Sequence, residues 1–222
     1  MVSSSTKLLK LVFSAIWSYS LYYDVQHQPR LGHEWYIYKL IMLTNINFVI
    51  VTIYSVLSAI SACIPPLGFM KKYLDHSLVT TIFPCCIVTC ALFWGLYTIE
   101  PELVMPAWIR ELIPSWLNHV THTLPVLYVL FELMAEKRAG VDAKGRLFVS
   151  FLIVLFYFKV IFAVRYYEGY WIYPLLGLLG PAHFALSFVA AIAGYFLLTQ
   201  LANVLLKKVD LEEAIDKKQK RK

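Results

Sequence analysis

Six long apolar stretches, at about residues 8–23, 40–63, 78–97, 116–135, 147–165 and 183–206, leave the chain few folds to choose from. A helix crossing roughly 30 Å of hydrocarbon needs about 20 mostly apolar residues, and each stretch comes close to that length. A β-barrel would instead show many alternating segments of roughly ten residues. Composition agrees: 59% of the residues are hydrophobic and 15% charged, with a mean hydropathy of +0.64, which lies outside the soluble range. The chain is therefore expected to be an all-α, polytopic membrane helical bundle with six transmembrane helices over 1–206, followed by a charged cytoplasmic tail over 207–222. The connections are too short for a soluble domain, so any active centre must be built from the spans and their ends. Tyr22, Tyr23 and Asp24 follow the first stretch where a signal peptide would carry small residues before its cleavage site, and that stretch is kept as a span.

Charge gives the orientation. With the N-terminus in the cytoplasm, that side collects fifteen Lys and Arg, including Lys7, Lys10, Lys71, Lys72, Lys137, Arg138, Lys144 and Arg146, against Arg30, Lys39, Arg110 and Arg165 opposite. Both termini are thus expected in the cytoplasm. The net charge of +6 sits at membrane edges, where it attracts anionic lipid, and does not make the folded basic surface that nucleic acid needs. Trp35, Tyr36, Tyr38, Trp108, Trp116, Tyr166, Tyr167, Tyr170, Trp171 and Tyr173 crowd the lumenal helix ends, as headgroup-level anchors do. Cys63, Cys85, Cys86 and Cys90 fall in or beside apolar spans without a CxxC spacing, so they are read as packing residues. Lys218-Gln219-Lys220-Arg221-Lys222 has the lysine spacing of a retrieval signal, which points to the endoplasmic reticulum, with the plasma membrane as the other setting.

Polar side chains inside spans decide between architecture and chemistry, because lipid makes them costly. The stretch Ile113 to Glu132 carries Asn118, His119 and His122 in its outer third and Pro125 just below them. Thr44 lies roughly 8 Å into the second span and His122 roughly 9 Å into the fourth, at 1.5 Å per residue. Lys159 and His183 fall near the same level. Thr44, Asn47, Val51, Ser55 and Ser58 share one helical face, and Asn118 and His122 form an i, i+4 pair. Pro125 cannot donate to the Thr121 carbonyl, which loosens the helix and leaves an acceptor for water or a side chain. Glu132 is expected to snorkel or to pair with a neighbour such as Lys137.

A threonine hydroxyl becomes a nucleophile when a base takes its proton, and a neutral imidazole is suited to that near neutral pH. His122 as base for Thr44, Asn47 or Asn118 donating to an oxyanion, and His119 orienting its neighbour make one constellation. Interhelical hydrogen bonds that only hold the bundle together are the competing explanation. His119 and His122 could share a metal-ligand face, but paired carboxylates are missing at that depth, so neither metal nor cofactor is expected. There is no GxSxG elbow, glycine-rich phosphate loop or SxxK.

Three segments carry a resemblance: Ile113 to Thr123, containing Trp116-Leu117-Asn118-His119 and His122-Thr123; Leu43-Thr44-Asn45-Ile46-Asn47; and Trp171-Ile172-Tyr173-Pro174. Together they resemble the androgen-induced gene and androgen-dependent TFPI-regulating protein family over most of the six spans. The resemblance implies a hydrolase of fatty acid esters of hydroxy fatty acids, with Thr44 as nucleophile and His122 as catalytic histidine, acting on a lipid ester drawn from the bilayer. Relatives carry an Arg-Asp pair before the third span; here Leu74-Asp75 stands there, so a role for that arginine has no counterpart residue. A non-enzymatic lipid-binding or regulatory membrane protein is the alternative. Protein partners are not legible.

Overall fold

A computed structural model describes residues 3–27, 39–64, 68–105 and 107–219. Arg30, Trp35, Tyr36, Tyr38, Lys220, Arg221 and Lys222, all used above, lie outside the described residues, as do the side chains of Trp108 and Lys218. Every regular element among the described residues is helical: α1 (Ser4–His27), α2 (Leu43–Cys63), α3 (Gly68–Ser77), α4 (Phe83–Ile99), α5 (Ala107–Leu112), α6 (Ser115–His122), α7 (Leu124–Ala135), α8 (Ala143–Glu168) and α9 (Pro181–Gln219). Four helical stretches among these residues are long and apolar enough to cross a membrane: Leu43–Cys63, Gly68–Ile99, Ala143–Glu168 and Pro181–Val209. The first and fourth expected spans fall short for different reasons. Lys7, Lys10 and several serines and tyrosines dilute α1, while the fourth span is divided into α6 and α7, each too short alone. The charged stretch from Lys207 continues the last helix.

Proline explains the local departures. Pro84 cannot donate to the carbonyl of Thr80, and the helix answers with a π turn at Leu78–Ile82 that joins α3 to α4, in which the Phe83 amide reaches back to Leu78. The Tyr195 hydroxyl of α9 donates to the freed Thr80 carbonyl at 3.2 Å. Pro125 acts likewise between α6 and α7: Thr123 leaves helical geometry (φ −121, ψ −49) and the chain restarts at Leu124. Elsewhere Asp142 caps α8 by accepting from the Gly145 amide at 3.0 Å, an interaction that holds its carboxyl below the usual carboxylate range. Gly169, at φ 77, ends the same helix in the left-handed conformation that a Cβ disfavours.

The helices form two groups. Trp17, Phe48, Val51, Leu78, Phe83, Tyr128 and Leu133 make a continuous core between α1, α2, α4 and α7. α8 packs along α9, and this pair meets α4 through a smaller cluster around Cys85, Val154 and Tyr195. At one end of the first group lies a buried ionic network. Lys10 reaches Glu132 at 3.2 Å, Glu136 at 2.6 Å and the Ser58 hydroxyl at 2.8 Å. Arg138 donates to Glu132, and to Asp75 at 3.2 Å. Glu132 is fully buried, which corrects the expectation of a snorkelling side chain; the expected pairing with a basic neighbour is made by Arg138, next to Lys137, and Lys10 of α1 joins it. Trp116, Tyr166, Tyr167 and Tyr170 are exposed, as anchors would be.

Candidate functional site

Thr44 stands in the first turn of α2, and His122 is the last residue of α6, where the Pro125 break turns the chain. The structure brings them together: Thr44 Oγ1 lies 3.2 Å from His122 Nε2. The other ring nitrogen fixes the tautomer. Nδ1 lies 3.1 Å from the carbonyl oxygen of Asn118, which can only accept, so Nδ1 carries the proton. Thr121 Oγ1, 3.0 Å from Nδ1, donates back to the Leu117 and Asn118 carbonyls and takes a share of the same N–H. Nε2 is then the lone-pair nitrogen and accepts from the Thr44 hydroxyl.

The imidazole is clamped on its face and through its backbone. The Phe93 ring stacks on it with centroids 3.6 Å apart and planes 17° apart. Trp94 Nε1 donates to the His122 carbonyl at 2.8 Å. This contact falls at the His122 carbonyl, one residue beyond the Thr121 carbonyl that Pro125 leaves without its usual donor.

Thr44, Asn118 and His122 lie on the wall of a cavity of ≈ 1260 Å³. One face of α4 (Cys85, Val88, Thr89, Leu92, Phe93, Leu96) forms its first wall; α8 adds Val154, Tyr157 and Ile161, and α9 adds Ser187, Ala191, Gly194 and Leu198. The lining is mostly apolar. At the Thr44 end, Tyr157 is tied to the α2 entry, its hydroxyl accepting from the Leu43 amide at 3.1 Å and meeting the Tyr173 hydroxyl at 3.0 Å. Asp24 and Lys39 pair at 2.6 Å on the same rim.

The other singled-out residues divide. Asn118 lines the cavity with its Oδ1 buried and unmet by any protein group. Asn47 is buried one turn from Thr44, outside the cavity lining, where its Oδ1 accepts from the Cys86 thiol at 3.7 Å. His119 is exposed, bonds to Thr123 at 3.1 Å and stacks on Trp94, so the contacts that orient His122 come from Asn118 and Thr121 instead. Lys159 and His183 are exposed, and Lys159 lies in a groove between α8 and α9 with Phe162, Phe184 and Phe188, away from the cavity. Equal depth did not place them on the inward face. Thr121, Phe93, Trp94 and Tyr157 were not singled out for the site; only Thr121, beside His122 in sequence, gave a local signal. No group of three or more His, Cys, Asp or Glu suited to a metal ion occurs among the described residues.

A multi-pass helical membrane protein with a threonine–histidine hydrogen bond on the wall of an apolar cavity is the class that fold and site define. The chain belongs to the FAR-17a/AIG1-like protein family, whose model matches residues 6–207. It is similar to the androgen-induced gene 1 protein of Homo sapiens, with 28% identity over 107 residues, 48% of this chain and 45% of that protein. It is also similar to the androgen-dependent TFPI-regulating proteins of Mus musculus (27% over 145 residues; 61% and 60%) and Homo sapiens (30% over 139 residues; 61% and 60%). The chain thus spans 45–60% of the length of these relatives in the matched stretches. No solved structure matches it significantly.

Proposed function

We propose that the protein is an intramembrane hydrolase of fatty acid esters of hydroxy fatty acids, with Thr44 as nucleophile and His122 as general base. The observation that carries this reading is the 3.2 Å contact between Thr44 Oγ1 and the lone-pair nitrogen of His122 on the wall of a lipid-sized apolar cavity. At ≈ 1260 Å³ the cavity exceeds the roughly 300–1,000 Å³ of ordinary small-molecule pockets, which suits a substrate with two acyl chains. In the first step His122 Nε2 takes the Thr44 proton while Oγ1 attacks the ester carbonyl. The tetrahedral adduct collapses as His122 returns that proton to the departing hydroxy fatty acid oxygen, leaving an acyl-threonine. His122 then takes a proton from water, the hydroxide attacks the acyl carbon, and the fatty acid leaves as Thr44 recovers its hydrogen. Asn118 supplies a polar contact beside the reacting atoms. The cycle needs neither metal nor cofactor.

In the same proposal α1 and the broken α6–α7 pair complete six crossings, with both termini cytoplasmic and Thr44 and His122 beneath the lumenal headgroups. The distribution of Lys and Arg supports that orientation. The membrane is that of the endoplasmic reticulum or the cell surface.

The test is turnover of a branched lipid ester by purified protein in detergent. Thr44→Ala and His122→Ala are each expected to lose at least about 100-fold in kcat while remaining folded. A fluorophosphonate probe should label the wild type and spare Thr44→Ala. Folded variants that hydrolyse at the wild-type rate would overturn the Thr44–His122 mechanism, and a folded wild type without turnover would return the protein to a non-enzymatic lipid-binding role.

A further inference from the structure

Hydroxyls inside the helices of this protein nearly always turn back on their own backbone. Thr52 donates to the Phe48 carbonyl, Thr121 to Leu117, Ser150 to Arg146 and Thr199 to Phe196. That is the usual resting state of such a side chain in an apolar environment. Thr89 breaks the habit. It lies mid-helix on α4, only 3% exposed, and its Oγ1 has no partner. It also lines the cavity. Among the described residues, Thr89 Oγ1 and Asn118 Oδ1 are the two fully buried, partnerless side-chain polar atoms whose residues line it.

Their placement is ordered. α4 and α6 run antiparallel past one another, because Phe93 stacks on His122 while Trp94 stacks on the earlier His119. Thr89 is one turn, about 6 Å, from Phe93 towards the start of α4; Asn118 is one turn from His122 towards the start of α6, the opposite direction along the antiparallel pair. The Thr44–His122 pair therefore lies, along the helix axes, between a spare hydroxyl on one side and a spare amide acceptor on the other.

Resting on the hydrolase reading above, we infer that Thr89 is the oxyanion donor. Its hydroxyl hydrogen-bonds the ester carbonyl oxygen as Thr44 attacks, in a water-poor site where such a donor has its greatest effect. Asn118 Oδ1, on the other side, accepts a hydrogen from the leaving hydroxyl or the incoming water. A group aimed at charge that exists only during the reaction would have no partner in the resting protein, and Thr89 has none.

The experiment uses the full chain in detergent, with kcat and KM for a branched lipid ester and thermal unfolding measured on wild type, Thr44→Ala, Thr89→Val and Thr89→Ser. Thr89→Val keeps the shape and removes only the donor. Its kcat is expected to fall about 100-fold or more, with KM within about 3-fold and unfolding temperature unchanged or raised. Thr89→Ser restores the donor and should return kcat to within about 10-fold of wild type. Wild-type kcat in Thr89→Val overturns the assignment alone, as does failure of serine to rescue. If Thr89→Val does not fold, Thr89→Cys, a weak donor of similar size, replaces it under the same criterion. A wild type as inert as Thr44→Ala overturns the hydrolase reading and this assignment together.

Discussion

Lys10 and Glu132 are 122 positions apart in the chain and both fully out of water, 3.2 Å from one another. Breaking such a pair from one side leaves the other charge stranded. Glu132→Ala, which takes one carboxylate from Lys10 and Arg138 and leaves them Glu136 and Asp75, is expected to cost about 1–3 kcal/mol in denaturant unfolding of the detergent-solubilised protein. A loss below about 1 kcal/mol would mean that the network relaxes or admits water and does not support the bundle. The same residues mark the limit of what a linear chain discloses. Depth along a helix follows from counting, and counting set Thr44 and His122 at one level. It set Lys159 and His183 there as well, although both are exposed and neither lines the cavity. Position around the helix axis needs a neighbour: Arg138, six residues beyond Glu132, is within local reach, whereas Lys10 on α1 is not.

At the scale of elements, long apolar runs announce helices, and a proline can announce where a helix yields. Pro125 is legible as an interruption, whereas Pro84, inside the third apolar stretch, passes without a signal. The π turn, the stop at Thr123 and the side chains that satisfy the disturbed backbone are not legible, since Tyr195 and Trp94 come from other helices. Trp94 has particular weight because the carbonyl it meets belongs to His122. Trp94→Phe keeps an aromatic ring and removes the indole N–H, so a partly buried carbonyl loses its donor. The expected loss is about 1–3 kcal/mol in stability. Turnover should fall more than KM rises, because the turn that carries the imidazole is then less firmly held. Equal unfolding temperature and equal kcat in Trp94→Phe would show that water replaces the indole at no cost.

For the molecule as a whole, membrane character was plain from composition, and the cavity was not, because its walls are ordinary apolar residues drawn from α4, α8 and α9. Gly194 is one place where the cavity's size is set: a Cβ added there meets nothing within 4 Å. Gly194→Leu is therefore expected to be tolerated in folding yet to shorten the space for an acyl chain. A series of esters of increasing chain length should show kcat/KM reduced about 10-fold or more for the longest members and little changed for the shortest. A uniform change across the series would place the acyl chains elsewhere. The α8–α9 pair that forms the far wall is fastened to the remaining helices by two phenols, Tyr157 at the Leu43 amide and Tyr195 at the Thr80 carbonyl. Those oxygens behave as rivets in a hull plate. Each secures a panel at a single point, and a tyrosine-to-phenylalanine exchange would draw the rivet and leave the panel's distance from the keel, and so the hold's breadth, to apolar packing alone.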